Sequence, residues 1–144
     1  SAGSRAAFYA VDHDAVLHFA QAAQSAGVRH FIVISAVGAN ARSPVFYSRV
    51  KGETERDLAA LGFARLDILR PGLLLGHREE RRPGEALLQR LDPVLSRLMI
   101  GPLGRYAGIP AATVAAAMLV LCSQSSGGKY IHHNAEILRL ASSG

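Results

Sequence analysis

Three stretches, Val28-Arg-His-Phe-Ile-Val-Ile-Ser35, Ser43-Pro-Val-Phe-Tyr-Ser-Arg-Val-Lys-Gly-Glu53 and Leu66-Asp-Ile-Leu-Arg70, decide the fold class of this sequence. In the first, the run Phe31 to Ile34 is apolar and partly β-branched, which predicts a strand covered on both faces, the pattern of a parallel sheet. In the second, Ser43 is an N-cap and Pro44 the first helical residue. Phe46, Tyr47, Val50, Leu58 and Leu61 then recur at near-helical spacing up to Gly62, with Glu53, Glu55, Arg56 and Asp57 on the opposite face. The third is a short strand. Strand, helix and strand joined by short loops form a βαβ unit, whose right-handed crossover makes the strands parallel. The class is α/β.

Upstream, Ser4 caps a helix that starts at Arg5, carries Phe8, Val11, Ala15, Phe19, Ala22, Ala23 and Ala26, and stops at Gly27. Downstream, Leu73-Leu-Leu-Gly76 leads into a charged loop, His77 to Arg82. Pro83 then opens a third helix, which Pro93 breaks. Gly101 to Gly108 is irregular, Pro110 to Cys122 an Ala-rich helix, Lys129 to His132 a terminal strand, and Asn134 the cap of a last helical turn. Three strands make a thin sheet for so many helices, so the expectation is one domain, 1–144, whose missing part precedes Ser1.

Composition narrows the function. The chain has 144 residues, 49% hydrophobic and 19% charged, an ordinary make-up for a globular domain and not for a disordered or disulfide-built one. Its net charge of +5 comes from 14 Arg and two Lys against 11 acids, and the arginines are scattered, whereas a nucleic-acid surface would cluster them. No nucleic-acid partner is expected. The longest uncharged stretch, Ala107 to Gly128, contains Pro110 and ends in Ser123-Gln-Ser-Ser-Gly-Gly128, so no membrane partner is expected either. With one cysteine and no leader-like opening, the expected compartment is the reducing cytoplasm.

The pattern that carries chemistry is Tyr47-Ser-Arg-Val-Lys51 on the second helix, with Ser35 at the end of the strand before it. Residues four apart share a helix face, so phenol and ammonium point into one space. Ligands of parallel α/β sheets bind at strand ends, where Ser35 sits. A nearby ammonium favours the phenolate and lowers the tyrosine pKa, fitting Tyr47 for proton exchange with a carbonyl or alcohol oxygen that Ser35 also bonds. The competing reading is an amphipathic core tyrosine beside a solvated lysine.

Six blocks in order then resemble one family: Ala2-Gly-Ser-Arg5 with Phe8 and Val11-Asp-His-Asp14; Ala26-Gly-Val-Arg-His-Phe31; Ser35-Ala-Val-Gly-Ala39; Tyr47 to Glu53; Arg70-Pro-Gly-Leu-Leu-Leu-Gly76; and Arg78-Glu-Glu-Arg-Arg-Pro-Gly-Glu85. The sequence resembles the atypical, extended-type short-chain dehydrogenases/reductases, in the branch of the Tat-interacting protein family. The resemblance implies a partial Rossmann-like, doubly wound parallel sheet that lacks the N-terminal Gly-rich strand-turn-helix, the chain matching the C-terminal two-thirds of the family's domain. It implies hydride transfer at a carbonyl or alcohol carbon of a small-molecule substrate. It also implies an NADP or NAD cofactor, NADP favoured, bound only by the full-length protein. By residue, it makes Tyr47 the acid/base, Lys51 its partner and the holder of the nicotinamide ribose, and Ser35 the orienting hydroxyl. Pro71, Gly72 and Leu73 would line the nicotinamide pocket. Asp12 stands where many members carry an asparagine that orders a relay water. The alternative is a non-catalytic dinucleotide-binding regulator or scaffold, and homo-oligomerisation is left open. The 144-residue chain alone is expected to bind NAD(P) poorly and to be unstable or self-associating.

Other candidates carry less. His13, His18 and His30 lack zinc spacing, and His132 and His133 point to opposite sides of a strand, so no metal is expected. Arg78 to Arg82 reads as a solvated loop, and Cys122 as an inert core residue.

Overall fold

The computed structural model describes residues 2–76 and 102–144. The expected loop from His77 to Arg82 and the expected helix from Pro83 lie outside the described residues. The fold is α/β with parallel strands, as expected, and is consistent with a partial Rossmann-like sheet. The chain divides into two units, Ser1–Arg70 with Gln124–Ile131, and Pro71–Ser123 with His132–Gly144.

The first unit opens with a helix in three parts: α1 (Ala2–Tyr9), a π-helical segment (Ala10–Ala15) and α2 (Val16–Ser25), ended by Gly27 at φ +93°. The expected apolar stripe is not the buried one. His13, Leu17 and Ala20 face inward, while Val11 and Phe19 are 65% and 68% exposed. The π segment is the reason, because each wider turn rotates the following face by about 100° relative to a straight α-helix. Strand β1 (His30–Ile34) follows, then α3 (Phe46–Ala60) and β2 (Arg65–Leu69). The helix starts later than expected: its N-cap is Val45, and Ser43 instead accepts the Val45 amide through Oγ at 3.1 Å, an ST-turn ahead of the helix.

Strands β1 and β2 pair in parallel, His30 opposite Arg65 through Ile34 opposite Leu69, and β5 (Gly128–His132) joins the other side of β2. On one face Phe31, Leu66 and Ile68 pack with Leu17, Ala20 and Leu58 into the core, each large side chain contributing about 1.5–3 kcal/mol on full burial. The other face is not the apolar one expected. There Asp67, fully buried, accepts Arg65 Nε at 2.7 Å, Arg65 Nη2 at 3.0 Å and His30 Nε2 at 2.6 Å, and the guanidinium lies 4.1 Å from the centre of the Tyr130 ring. Alternation along β2 puts Arg65 and Asp67 on the side opposite Leu66 and Ile68. The buried charges persist because their hydrogen-bonding capacity is used.

In the second unit the two-residue strands β3 (Leu74–Leu75) and β4 (Ile109–Pro110) pair in parallel, a pairing too short to be visible in sequence. A 3₁₀ helix (Pro102–Tyr106) occupies most of the stretch expected to be irregular. Helices α4 (Ala111–Leu121) and α5 (Asn134–Ser142) bury Val114, Ala117, Leu121 and Ile137 together with Ile109. The terminal helix is thus more than one turn, and His133, not Asn134, is its N-cap. Asn134 Oδ1 accepts the Gly72 amide at 2.9 Å, and its Nδ2 donates to Gly104 O and Ala107 O at 3.1 and 2.9 Å. Cys122 follows the last turn of α4 and is exposed, so it is not a core residue.

Candidate functional site

Ser35 stands one residue past β1, and its amide donates to Leu69 O at 2.7 Å, which extends the parallel ladder to the strand end. Its hydroxyl donates to Glu55 Oε2 at 2.6 Å. Glu55 belongs to the face of α3 expected to be solvated. It is instead buried, and Arg70 Nε donates to both of its oxygens at 3.0 and 3.2 Å. A carboxylate this buried needs a charge partner, and Arg70 at the end of β2 is that partner.

Lys51, on α3, donates from Nζ to Asp12 Oδ1 in the π segment at 3.0 Å. Thr54 Oγ1, one turn short of Leu58, lies 2.8 Å from Val50 O and 3.1 Å from Asp12 O. Asp12, Ser35, Lys51, Thr54 and Glu55 line one cleft of about 20 Å³, room for a single water-sized group. The sequence-predicted Ser35 and Lys51 are therefore brought together. Tyr47 is not in that cleft. Its side chain opens one turn earlier along α3 into a wider cleft of about 230 Å³, which it lines with Ser4, Arg5, Phe8 and Phe46. Tyr47 is 48% exposed, its ring centre lies 5.5 Å from that of Phe8, and Lys51 Nζ lies 5.7 Å from it.

The hydroxyl of Ser35 has one proton, and Glu55 holds it, so a lone pair is what it offers the cleft. Lys51 has three donors, one of them given to Asp12. The π segment is tied to α3 at a second point, where His13 Nδ1 and Nε2 face Asp14 Oδ1 at 2.8 Å and Asp57 Oδ2 at 2.6 Å. Burial opposes charging of His13, but the bonds to Asp57 and Asp14 outweigh it and its pKa is raised. The Arg56 hydrogen bond, with His13 assisting against burial, holds the Asp57 carboxyl below its ordinary range. Tyr9 stacks on His13 at 4.4 Å, and burial, then Glu53, push its phenol up.

Pro71, Gly72 and Leu73 belong to the second unit. Pro71 is buried, Leu73 O accepts the Ile109 amide at 2.8 Å, and a Cβ on Gly72 would come within 2.1 Å of Ala107 O. Gly72 is thus needed for close backbone packing. Among the described residues no group of three His, Cys, Asp or Glu could hold a metal ion, and no helix is long and apolar enough to cross a membrane.

No protein-family model matches the chain. Individual proteins do. Protein HTATIP2 of Rattus norvegicus is 40% identical over 134 residues, 92% of this chain and 54% of its own length. The mitochondrial protein fmp52 of Emericella nidulans is 45% identical over 105 residues, 73% of this chain and 42% of its own. The chain is a homologue of both. FMP52-1 of Scheffersomyces stipitis, also named mitochondrial, is 40% identical over 110 residues. The chain spans about half the length of the curated relatives it matches. The Fmp52 names overturn the cytoplasmic expectation, because a single cysteine is equally at home in any reducing compartment and cannot tell one from another.

Sequence reasoning had not singled out Glu55, Arg70, Thr54 or His13 for the site. One signal was present: Gly52 in mid-helix costs about 1 kcal/mol relative to Ala, so it requires a packing reason. A Cβ there would lie 2.1 Å from Ala41 N, and its absence lets the loop after Ser35 lie against α3 beside Lys51.

Proposed function

We propose that this homologue of HTATIP2 and Fmp52 is an NAD(P)-dependent oxidoreductase of the atypical short-chain dehydrogenase type, acting at a carbonyl or alcohol carbon of a small molecule. The observation that carries the reading is the shared face of α3. Tyr47 presents a hydroxyl for which no hydrogen-bond partner is found among the described residues, and Lys51 follows one turn later beside Ser35. The homology supports the same reading, and the Fmp52 names favour a mitochondrial setting.

In donor chemistry, though not in the 20 Å³ volume of the cleft as it stands, Lys51 suits the nicotinamide end of a dinucleotide. Lys51 retains two N–H donors for ribose hydroxyls beyond the one given to Asp12. None of the described residues forms a Gly-rich strand-to-helix turn for the pyrophosphate, so dinucleotide binding is proposed for the whole protein. NAD(P), when bound, supplies or takes the hydride. Tyr47 gives its proton to the substrate oxygen in reduction and takes it back in oxidation. Ser35, in the neighbouring cleft with Lys51 and with its own proton held by Glu55, offers a ligand a lone pair and not a donor.

In the protein at its full natural length, Tyr47→Phe should lower the rate of NADPH-dependent aldehyde reduction at least a hundredfold and leave NADPH affinity within about twofold. A retained rate overturns the assignment. A second reading, a dinucleotide-binding regulator without turnover, is favoured by one observation: the Lys51 ammonium and the Ser35 proton are already engaged by Asp12 and Glu55. NADPH binding by calorimetry with no consumption across aldehydes, ketones and quinones would establish it in place of the enzyme.

A further inference from the structure

The 230 Å³ cleft beside Tyr47 is lined by three rings, Phe8, Phe46 and Tyr47, with Ser4 and the guanidinium-bearing Arg5. Phe8 lies 5.9 Å from Phe46 and 5.5 Å from Tyr47, tilted against each by 56° and 43°, so the walls are aromatic edges and faces. Arg5 and Arg49 bring their guanidinium carbons to 5.1 and 5.6 Å from the Phe46 ring centre, within cation–π range. Arg49 also donates to Ser43 O at 3.1 Å. Neither arginine has a carboxylate partner among the described residues, in contrast to Lys51, Arg65 and Arg70. Arg5 therefore keeps its planar fork of donors for a ligand, held over Phe46 at one side of a cleft that Tyr47 also lines.

We infer that this cleft binds a small aromatic aldehyde or ketone that carries a carboxylate, the ring lying among Phe8, Phe46 and Tyr47 and the carboxylate on Arg5. The class follows from three features. The volume is below the ~300–1,000 Å³ of drug-sized pockets, which limits the ligand to one or two rings. Phenylalanine and tyrosine walls favour an aromatic body through offset and edge-to-face contacts. A guanidinium without an anionic partner matches a planar carboxylate in bidentate geometry. The carbonyl requirement rests on the reading of Tyr47 as the acid, whereas recognition of the aromatic anion does not.

The test uses 4-formylbenzoate and its neutral methyl ester, titrated calorimetrically into the full-length protein. The acid should bind at least about tenfold more tightly than the ester, the size of one hydrogen-bonded charge contact. Arg5→Gln should level the two, and Arg5→Glu should transfer the preference to 4-(trimethylammonio)benzaldehyde. Phe46→Leu should weaken acid and ester alike. Arg5 is exposed, so these variants fold as the parent does. Equal affinity for acid and ester, a preference that survives Arg5→Gln, no binding of either, or displacement of the acid by equimolar inorganic phosphate would each overturn the inference. An Arg5-dependent preference without NADPH-dependent reduction of the bound aldehyde would overturn the oxidoreductase reading alone. Reduction without the preference would overturn only the ligand class.

Discussion

Glu55 joins the strand end, the helix and the second strand in one side chain: it accepts the hydrogen bond of the Ser35 hydroxyl and pairs with the guanidinium of Arg70. Removing it leaves Arg70 unpaired in a half-buried position, so Glu55→Ala should destabilise the protein by about 3 kcal/mol in chemical denaturation. Glu55→Gln keeps an oxygen for Ser35 and part of the bond to Arg70, and should lose clearly less. Equal losses in the two variants would mean that the charge, and not the hydrogen-bond geometry, is what holds Ser35. The motif Tyr47-x-x-x-Lys51 was legible at this scale because residues four apart on a helix share a face wherever the helix lies. Glu55 was not, because it sits four residues beyond Lys51 among charges that read as solvated, and only the approach of Arg70 from another strand buries it.

Among the elements, the π segment and α3 are tied by Lys51 to Asp12 and by Asp57 to His13. The His13 pKa is raised above its ordinary 6.5, so the stability it contributes is complete below that value and is lost as pH rises through the higher folded value. Asp57 is lowered from 3.8, so its contribution is complete above that value and is lost as pH falls through the lower folded value. Both hold between about pH 4 and 6.5. Melting temperatures of the parent and His13→Gln should differ by a few degrees near pH 6 and converge toward pH 9. A constant gap across that range would show that His13 acts by packing and not by charge. Gly52→Ala gives a second test of this region. The methyl improves helix propensity by about 1 kcal/mol but meets Ala41 N at 2.1 Å. Overpacking should win, with a net loss of about 1–2 kcal/mol in denaturant unfolding, and a stabilised variant would show that the loop yields freely.

For the whole molecule, the outward faces of the first unit carry Val11 and Phe19 with little cover, a surface that invites self-association. Phe19→Glu should change stability by less than about 0.5 kcal/mol, as expected for an exposed site, and reduce association in sedimentation velocity. Unchanged association would move the contact elsewhere, and a large loss of stability would show that Phe19 is packed through its 6.1 Å contact with Phe31.

The sequence by itself determined the α/β class, the parallel pairing of β1 with β2 and the common helix that carries Tyr47 and Lys51. These follow from periodicity and connection length, which act over neighbouring residues. Only the tertiary structure decided that His13, Leu17 and Ala20 face the core in place of Val11 and Phe19, since a π turn alters the face presented without leaving an apolar period to read. It also decided that Asp67 and Glu55 are buried, and that Tyr47 opens into a different cleft from Ser35 and Lys51. The burial of Glu55 depends on Arg70, 15 residues away, and that of Asp67 on Arg65, two residues along the same strand, together with His30, 37 residues away. Whether a charge can be buried is decided by the distance to its counter-charge in space.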